Sequence, residues 1–195
     1  MMHPDTELRF IDDRIGFGVF ATAPIPKGTI IWAKDPLDQY LSPEAADALP
    51  ANVRERALTH MFRDAGGRYV LCWDLARYIN HSFFPTCTIT HWDFDIAITD
   101  INPGKQLTED YGTLNIIEPF EPFHEPGSER RTVTPDDLKY HYQQWDAALA
   151  AALPLAIFAP QPLLNLVPKD IWNLVRDICD GKKPMPSFAS CHFSG

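Results

Sequence analysis

Short apolar runs of β type, broken by glycine and proline, occupy residues 6 to 33. Within them RIGFGVFATAPIPKGTIIW predicts a strand, a turn on Pro26-Lys27-Gly28 and a second strand. Helical spacing takes over at residues 42 to 62, with Ser42 as N-cap, Pro43 at the first helical position and NVRERALTHMF continuing the pattern. Strand patterns return over residues 68 to 111 as RYVLCW, TCTITHW and FDIAITDI, and NPGK makes a turn before QLTEDYG. The last third is helical. Thr134-Pro135-Asp136-Asp137 combines a cap, an N1 proline and an acidic first turn. Leu138, Tyr142, Trp145 and Leu149 then share one face, as do Ile171, Leu174, Val175 and Ile178 after Pro168. EPFEPFHEPGSERR, between the two regions, reads as a loop, and the tail after Gly181 is expected to be loosely ordered.

Composition narrows the class. A chain of 195 residues with 45% apolar and 12% aromatic residues suits one globular domain with a real core. Its longest apolar stretch, ALAAALPLAIF, is interrupted by Pro154 and is too short for a bilayer. MMHPDTELRF has no signal-peptide pattern, so a cytoplasmic location is expected, or a nuclear one in a eukaryote. Cys72, Cys87, Cys179 and Cys191 lack paired spacing, which predicts reduced thiols. A net charge of −9 argues against direct nucleic-acid binding and favours a cationic partner.

Single motifs are weak. Gly-Phe-Gly at 16 to 18 lacks the third glycine and following helix of a dinucleotide site. Asn80 and His81 follow the apolar Tyr78 and Ile79, so they either satisfy each other in the core or hold something. In order, however, GFGVFATAPIPKGTII, ARYINHSFFPTC and DINPGKQLTEDYG closely resemble the SET-domain family of protein lysine methyltransferases, over about residues 6 to 113.

That resemblance implies a mainly β fold with helices (α+β): small β-sheets, a knot-like crossing near Asn80-His81, and C-terminal helices. It implies S-adenosylmethionine as cofactor, with Gly16, Phe17 and Gly18 offering bare backbone and Tyr78 an apolar wall. Asn80 would hold the amino-acid end and the main chain of His81 the adenine, with Tyr69 a further stacking candidate. Tyr111 matches the catalytic tyrosine and would also face the cofactor's methyl. The expected organisation is a SET domain at 6–113, a loop at 114–133 in place of the zinc-binding post-SET segment, and a helical extension at 134–195.

Departures from the family shape the expectations. Phe83-Phe84-Pro85-Thr86 replaces the common Cys-Asp-Pro-Asn, and Glu109 stands where apolar residues are frequent, which bears on channel shape and on the number of methyls added. The segment from His124 to Arg131 has lost the thiolates, so no zinc is expected. Nine acidic residues against Lys105 between Asp93 and Glu129 form either a solvated face or a groove for a basic peptide. The expected function is methyl transfer to a lysine amine of a protein substrate. Two alternatives are a SET-fold module with weak or lost turnover that binds a basic partner peptide, and an enzyme acting on a free small molecule.

Overall fold

The computed structural model describes residues 1 to 194. Ten short strands make four small sheets. β1 (Thr6–Asp12) and β2 (Gly16–Ala21) form an antiparallel hairpin, with Leu8 opposite Val19. β3 (Ile30–Ala33) joins β8 (Cys87–Ile89) and β9 (Phe94–Ala97) in a sheet with β9 at its centre. β4 (Gln39–Leu41), β5 (Met61–Arg63) and β6 (Tyr69–Leu71) form another around β6. The fourth is parallel: β7 (Asn80–His81) runs beside β10 (Thr108–Glu109), pairing Asn80 with Thr108 and His81 with Glu109.

Five α-helices complete the chain: α1 (Pro43–Asp47), α2 (Ala51–Leu58), α3 (Asp137–Tyr140), α4 (Tyr142–Ala152) and α5 (Lys169–Cys179). Ser42 caps α1 as expected, accepting from Ala45 N at 3.2 Å with Pro43 at N1. The single helix expected over 42 to 62 is instead two. Pro50, whose ring removes an N–H, separates them, and Met61-Phe62 leave helical geometry to pair with β6. The signal at Thr134 is displaced too. Its hydroxyl donates to the Asp137 carboxylate at 2.6 Å instead of capping, and the helix starts at Asp137. Nor is the tail loose: Phe188 is fully buried, and Asp146 accepts from Phe188 N at 2.7 Å and Ser187 Oγ at 2.6 Å.

Two apolar clusters hold these pieces. One is internal to the β region, joining Val19, Ile25, Ile31, Ile79, Ile101 and Leu107. The other sits between sheet and C-terminal helices, where Ile30, Phe94 and Ile96 meet Leu138, Trp145, Leu149, Val175 and Phe188. The helices therefore share a core with the sheet, which is why their apolar faces were readable as stripes. Among the described residues no helix is long and apolar enough to cross a membrane.

The Pro26-Lys27-Gly28 turn shows how tight this junction is. Thr29 N donates to Pro26 O at 3.1 Å, and Gly28 has a φ of +91°, which suits glycine at this turn position. A Cβ on Gly28 would lie 2.8 Å from Ala156 N and from Leu155. Gln161 clasps the same turn, donating to Gly28 O and accepting from Ile30 N, both at 2.8 Å. Gly104, in the Asn102–Lys105 turn, has a φ of +79° but its nearest neighbour would be 3.9 Å from an added Cβ. Gly104→Ala should cost about 1 kcal/mol of stability, from φ alone. Gly28→Ala should cost about 3 kcal/mol, because backbone overlap is added. Urea unfolding checks the ranking; equal losses would show that the turn is not clamped by the C-terminal segment.

Candidate active site

The parallel pairing of β7 with β10 brings three chemically distinct groups together: the Asn80–His81 strand, the Glu109–Tyr111 segment and β2. Asn80 Nδ2 donates to Phe17 O at 2.9 Å, which ties β7 to β2. Ser82 N donates to Glu109 O at 2.9 Å, extending the parallel ladder. Gly18 is a close-approach glycine, since a Cβ would lie 2.6 Å from Gln106 Nε2 and 2.9 Å from Asn80 Nδ2. Gly16 instead has open space beside it. Phe17 is 46% exposed and meets Phe10 at 5.6 Å and Tyr78 at 6.2 Å, ring to ring. Gly16, Phe17, Gly18, Tyr78 and Asn80 thus share one edge, with an exposed aromatic surface. Tyr69 is elsewhere, buried in β6 opposite Leu41 and Arg63.

His81 and Tyr111 pin each other. Tyr111 N donates to His81 Nδ1 at 3.1 Å, and the Tyr111 hydroxyl donates to Ile79 O at 2.6 Å. Because Nδ1 accepts, the neutral ring carries its proton on Nε2. Burial lowers the His81 pKa, partly opposed by the charge of Asp110, and so favours that neutral form. The ring packs edge-on to Phe83 at 4.5 Å and contacts Tyr111 at 5.5 Å and Phe120 at 5.7 Å. The side chain of His81 therefore positions Tyr111 through Nδ1, while its Nε2 has no hydrogen-bond partner among the described residues.

Asp110 is the hub behind the tyrosine. Its carboxylate accepts from Gly112 N at 3.0 Å and Trp145 Nε1 at 3.1 Å, and it is paired with Arg130. The Arg130 guanidinium also pairs with Asp137 and lies 4.7 Å over the Phe83 ring. A Cβ on Gly112 would come within 2.8 Å of Arg130 and 2.9 Å of Trp145, so the residue after the tyrosine must be bare for the network to close. Glu125 fastens the same loop, accepting from Ser82 Oγ at 2.7 Å and Phe83 N at 2.5 Å. The loop that lacks thiolates is held by carboxylate and guanidinium bonds. His124 within it is exposed, and among the described residues no group of three or more His, Cys, Asp or Glu side chains is placed to hold a metal.

On the other side of Tyr111 lies a cavity of about 530 Å³, whose walls include Trp32, Ile79, Asp95, Glu109 and Tyr111. Asp95 is central in β9, with Trp32 of β3 and Ile89 of β8 opposite it in register. Asp95 and Glu109 are only 8% and 6% exposed. Burial raises both carboxyls, Glu109 to about 7 and Asp95 well above its usual range, where the neighbouring Glu109 adds to the shift. Burial, with the charge of Glu109, also raises the Tyr111 phenol. Neither Asp95 nor Arg130 was singled out from sequence. An acid between Phe94 and Ile96 in a strand was the available signal for Asp95, whereas Arg130 offered none.

These contacts break up the acidic stretch. Asp95, Glu109 and Asp110 are buried. Asp93 pairs with Lys34 at 3.0 Å, Asp100 accepts from Lys27 N at 2.8 Å, and Glu125 is fastened as above. Glu118, Glu121 and Glu129 remain exposed, and Arg54, Arg63 and Arg77 line the same cavity as Glu118.

Comparison with known proteins follows this geometry. Residues 16–112 match the family described as SET domain. A ctPRC2 chain "in an autoinhibited conformation bound to S-adenosylmethionine" is 22% identical, with a TM-score of 0.44, over 56% of this chain and 15% of that one. A Plasmodium falciparum candidate histone methyltransferase is 17% identical, with a TM-score of 0.42, over 56% of this chain and 95% of its own. No curated protein sequence matches the chain. The matched segment contains β2, Asn80, His81 and Tyr111, and through it the chain belongs to the SET domain family.

Proposed function

We propose that the protein transfers a methyl group from S-adenosylmethionine to the side-chain amine of a lysine in a protein substrate. The observation that carries this reading is the position of Tyr111. It is pinned by the Asn80–His81 strand and forms a wall of the cavity.

The residues present fit the cofactor. Exposed Phe10 and Phe17, set edge to face, offer an apolar surface, Gly16 leaves open space, and the Asn80 amide oxygen takes no hydrogen bond from the described residues. Gly16, Phe17, Asn80 and the main chain of His81 would hold it, with Gly18 and Tyr78 supporting them. When bound, it supplies an electrophilic methyl on a sulfonium.

The nucleophile must be a neutral amine. At pH 7 neutralising a free lysine, with its pKa of ~10.4, costs about 4.6 kcal/mol. A desolvating cavity lowers that cost by disfavouring the ammonium. Tyr111 spends its proton on Ile79 O, so its oxygen lone pairs are left to accept from the amine N–H. Its raised pKa keeps it a phenol, and it therefore orients the amine and is not the base.

The partner in this reading is a basic protein segment. The net charge of −9 and the exposed Glu118, Glu121 and Glu129 attract it at long range, while arginines line the cavity itself. Lysine selection is then the task of the cavity beside Tyr111. The loop at 114–133 closes the site without zinc in this reading, since Glu125 and Arg130 fasten it.

Tyr111→Phe should keep cofactor affinity in calorimetry but lower kcat on lysine peptides by about 100-fold, as expected when a reacting group is misplaced. Asn80→Ala should weaken cofactor binding about tenfold, losing the bond to Phe17 O along with the free amide oxygen. Normal turnover by Tyr111→Phe would overturn the assignment. Chelators should leave the unfolding midpoint unchanged; a fall in that midpoint would show that the loop carries a structural metal.

A further inference from the structure

The lysine reading leaves one question of chemistry open: where the proton of the arriving ammonium goes. The cavity wall contains two buried carboxyls that no cation of the chain neutralises directly. Glu109 is 6% exposed, and its Oε1 has no hydrogen-bond partner. The Nε1–H of Trp32, 4% exposed and lining the same cavity, is likewise unpartnered. An unmet acceptor and an unmet donor in one wall are costly unless something enters to meet them. Glu109 lies two residues before Tyr111, and both residues line this space.

We propose that Glu109, with Asp95 as its hydrogen-bonding neighbour, is the proton acceptor for the substrate amine. This rests on the methyl-transfer reading above.

The step balances. The entering ammonium gives one proton to the Glu109 carboxylate and becomes a neutral amine. The nitrogen lone pair then forms the new N–C bond while the C–S bond breaks, its electron pair passing to sulfur. The methylated nitrogen leaves as a cation with two N–H bonds, and the Glu109 proton returns to solvent.

The surroundings suit a base that works near neutrality. Desolvation raises the Glu109 carboxyl to about 7, and the hydrogen bond from Asp95 limits that rise. Asp95 faces Glu109 from β9, and burial together with the charge of Glu109 pushes its carboxyl upward, toward the protonated form that can donate. Burial, with the charge of Glu109 adding to it, pushes Cys72, Cys87 and Tyr111 upward as well, away from neutrality. Arg54, His60, Arg63, Arg77 and Glu118 line the cavity too, and the Met1 ammonium and Asp93 act on Asp95 from a distance. An acid of this strength is ionised often enough at pH 7 to accept, which is the balance general-base catalysis needs.

The test has an activity arm and a stability arm. At saturating lysine peptide and cofactor, wild-type kcat should rise through an inflection near pH 7 and then level. Glu109→Gln keeps the shape but cannot titrate. Its kcat should fall about 100-fold at pH 7 and climb instead toward pH ~10, the range of the free amine. Asp95→Leu removes the donor and should move the wild-type inflection upward. Asp95→Asn, whose amide can still donate, should restore it near pH 7.

The stability arm needs neither cofactor nor substrate. An unfolded glutamate ionises near 4.5, whereas folded Glu109 keeps its proton until about 7. Between those values the folded state binds the extra proton, so its stabilising effect is full below about 4.5 and lost as pH rises to about 7. The stability of wild type relative to Glu109→Gln should therefore decline across that window and stay flat above it. A flat difference throughout, or an active wild type whose pH profile survives in Glu109→Gln, would overturn the proposal. A wild type that methylates no lysine at any pH would overturn the methyl-transfer reading itself.

Discussion

The Asp110 carboxylate is the joint on which the rest of this structure depends. It follows Glu109, precedes Tyr111, and takes hydrogen bonds from Gly112 N and Trp145 Nε1 while pairing with Arg130. Three parts of the chain that are remote in sequence, the tyrosine segment, the loop and helix α4, meet on one buried anion. Burying a carboxylate is tolerable only with this many donors, and losing one partner from such a group costs about 3–5 kcal/mol. Arg130 carries the tie onward to Asp137 and the start of α3. The placement of Tyr111 and the docking of the C-terminal helices are consequently one problem for the protein, with one solution.

That coupling also explains how the loop at 114–133 is fastened beside the site. Glu125 accepts from Ser82 and Phe83, directly after the Asn80–His81 strand, and the Arg130 guanidinium covers the Phe83 ring. Phe83 and Phe120 pack against the His81 ring, which holds the main chain of Tyr111. A chain of contacts thus runs from the loop to the tyrosine without thiolates. Positions that depart from the usual family pattern, Phe83 and the segment from His124 to Arg131, are the positions that build it.

Much of this was legible in the sequence, and the remainder was not for identifiable reasons. Strand runs, both glycine-bearing turns and the apolar faces of α4 and α5 follow from local pattern: Trp145, Leu149 and Val175 are buried, and Tyr142, Ile171 and Ile178 pack against the same core partly buried. Asn80, His81 and Tyr111 were placed by motif, and the parallel β7–β10 pair brings them together as that motif implies. The failures concern long-range partners. Thr134 looked like a cap, but its hydroxyl donates to the Asp137 carboxylate, which also pairs with Arg130. Met61-Phe62 looked helical until β6 offered a pairing edge, and the tail found its partners in Asp146 and Asn115. Charge misled most: a run of acids along the chain suggests one surface, yet Asp95, Glu109 and Asp110 are interior and do different jobs.

The central claim is that this arrangement methylates lysine in a protein. The most direct measurement incubates the protein with S-adenosylmethionine radiolabelled in its methyl group and a whole-cell lysate, then hydrolyses the proteins and separates the amino acids. The account predicts label recovered as methyllysine, and none when Tyr111→Phe replaces the wild type. Label that appears only in free small molecules, or no label despite cofactor binding by calorimetry, would contradict it.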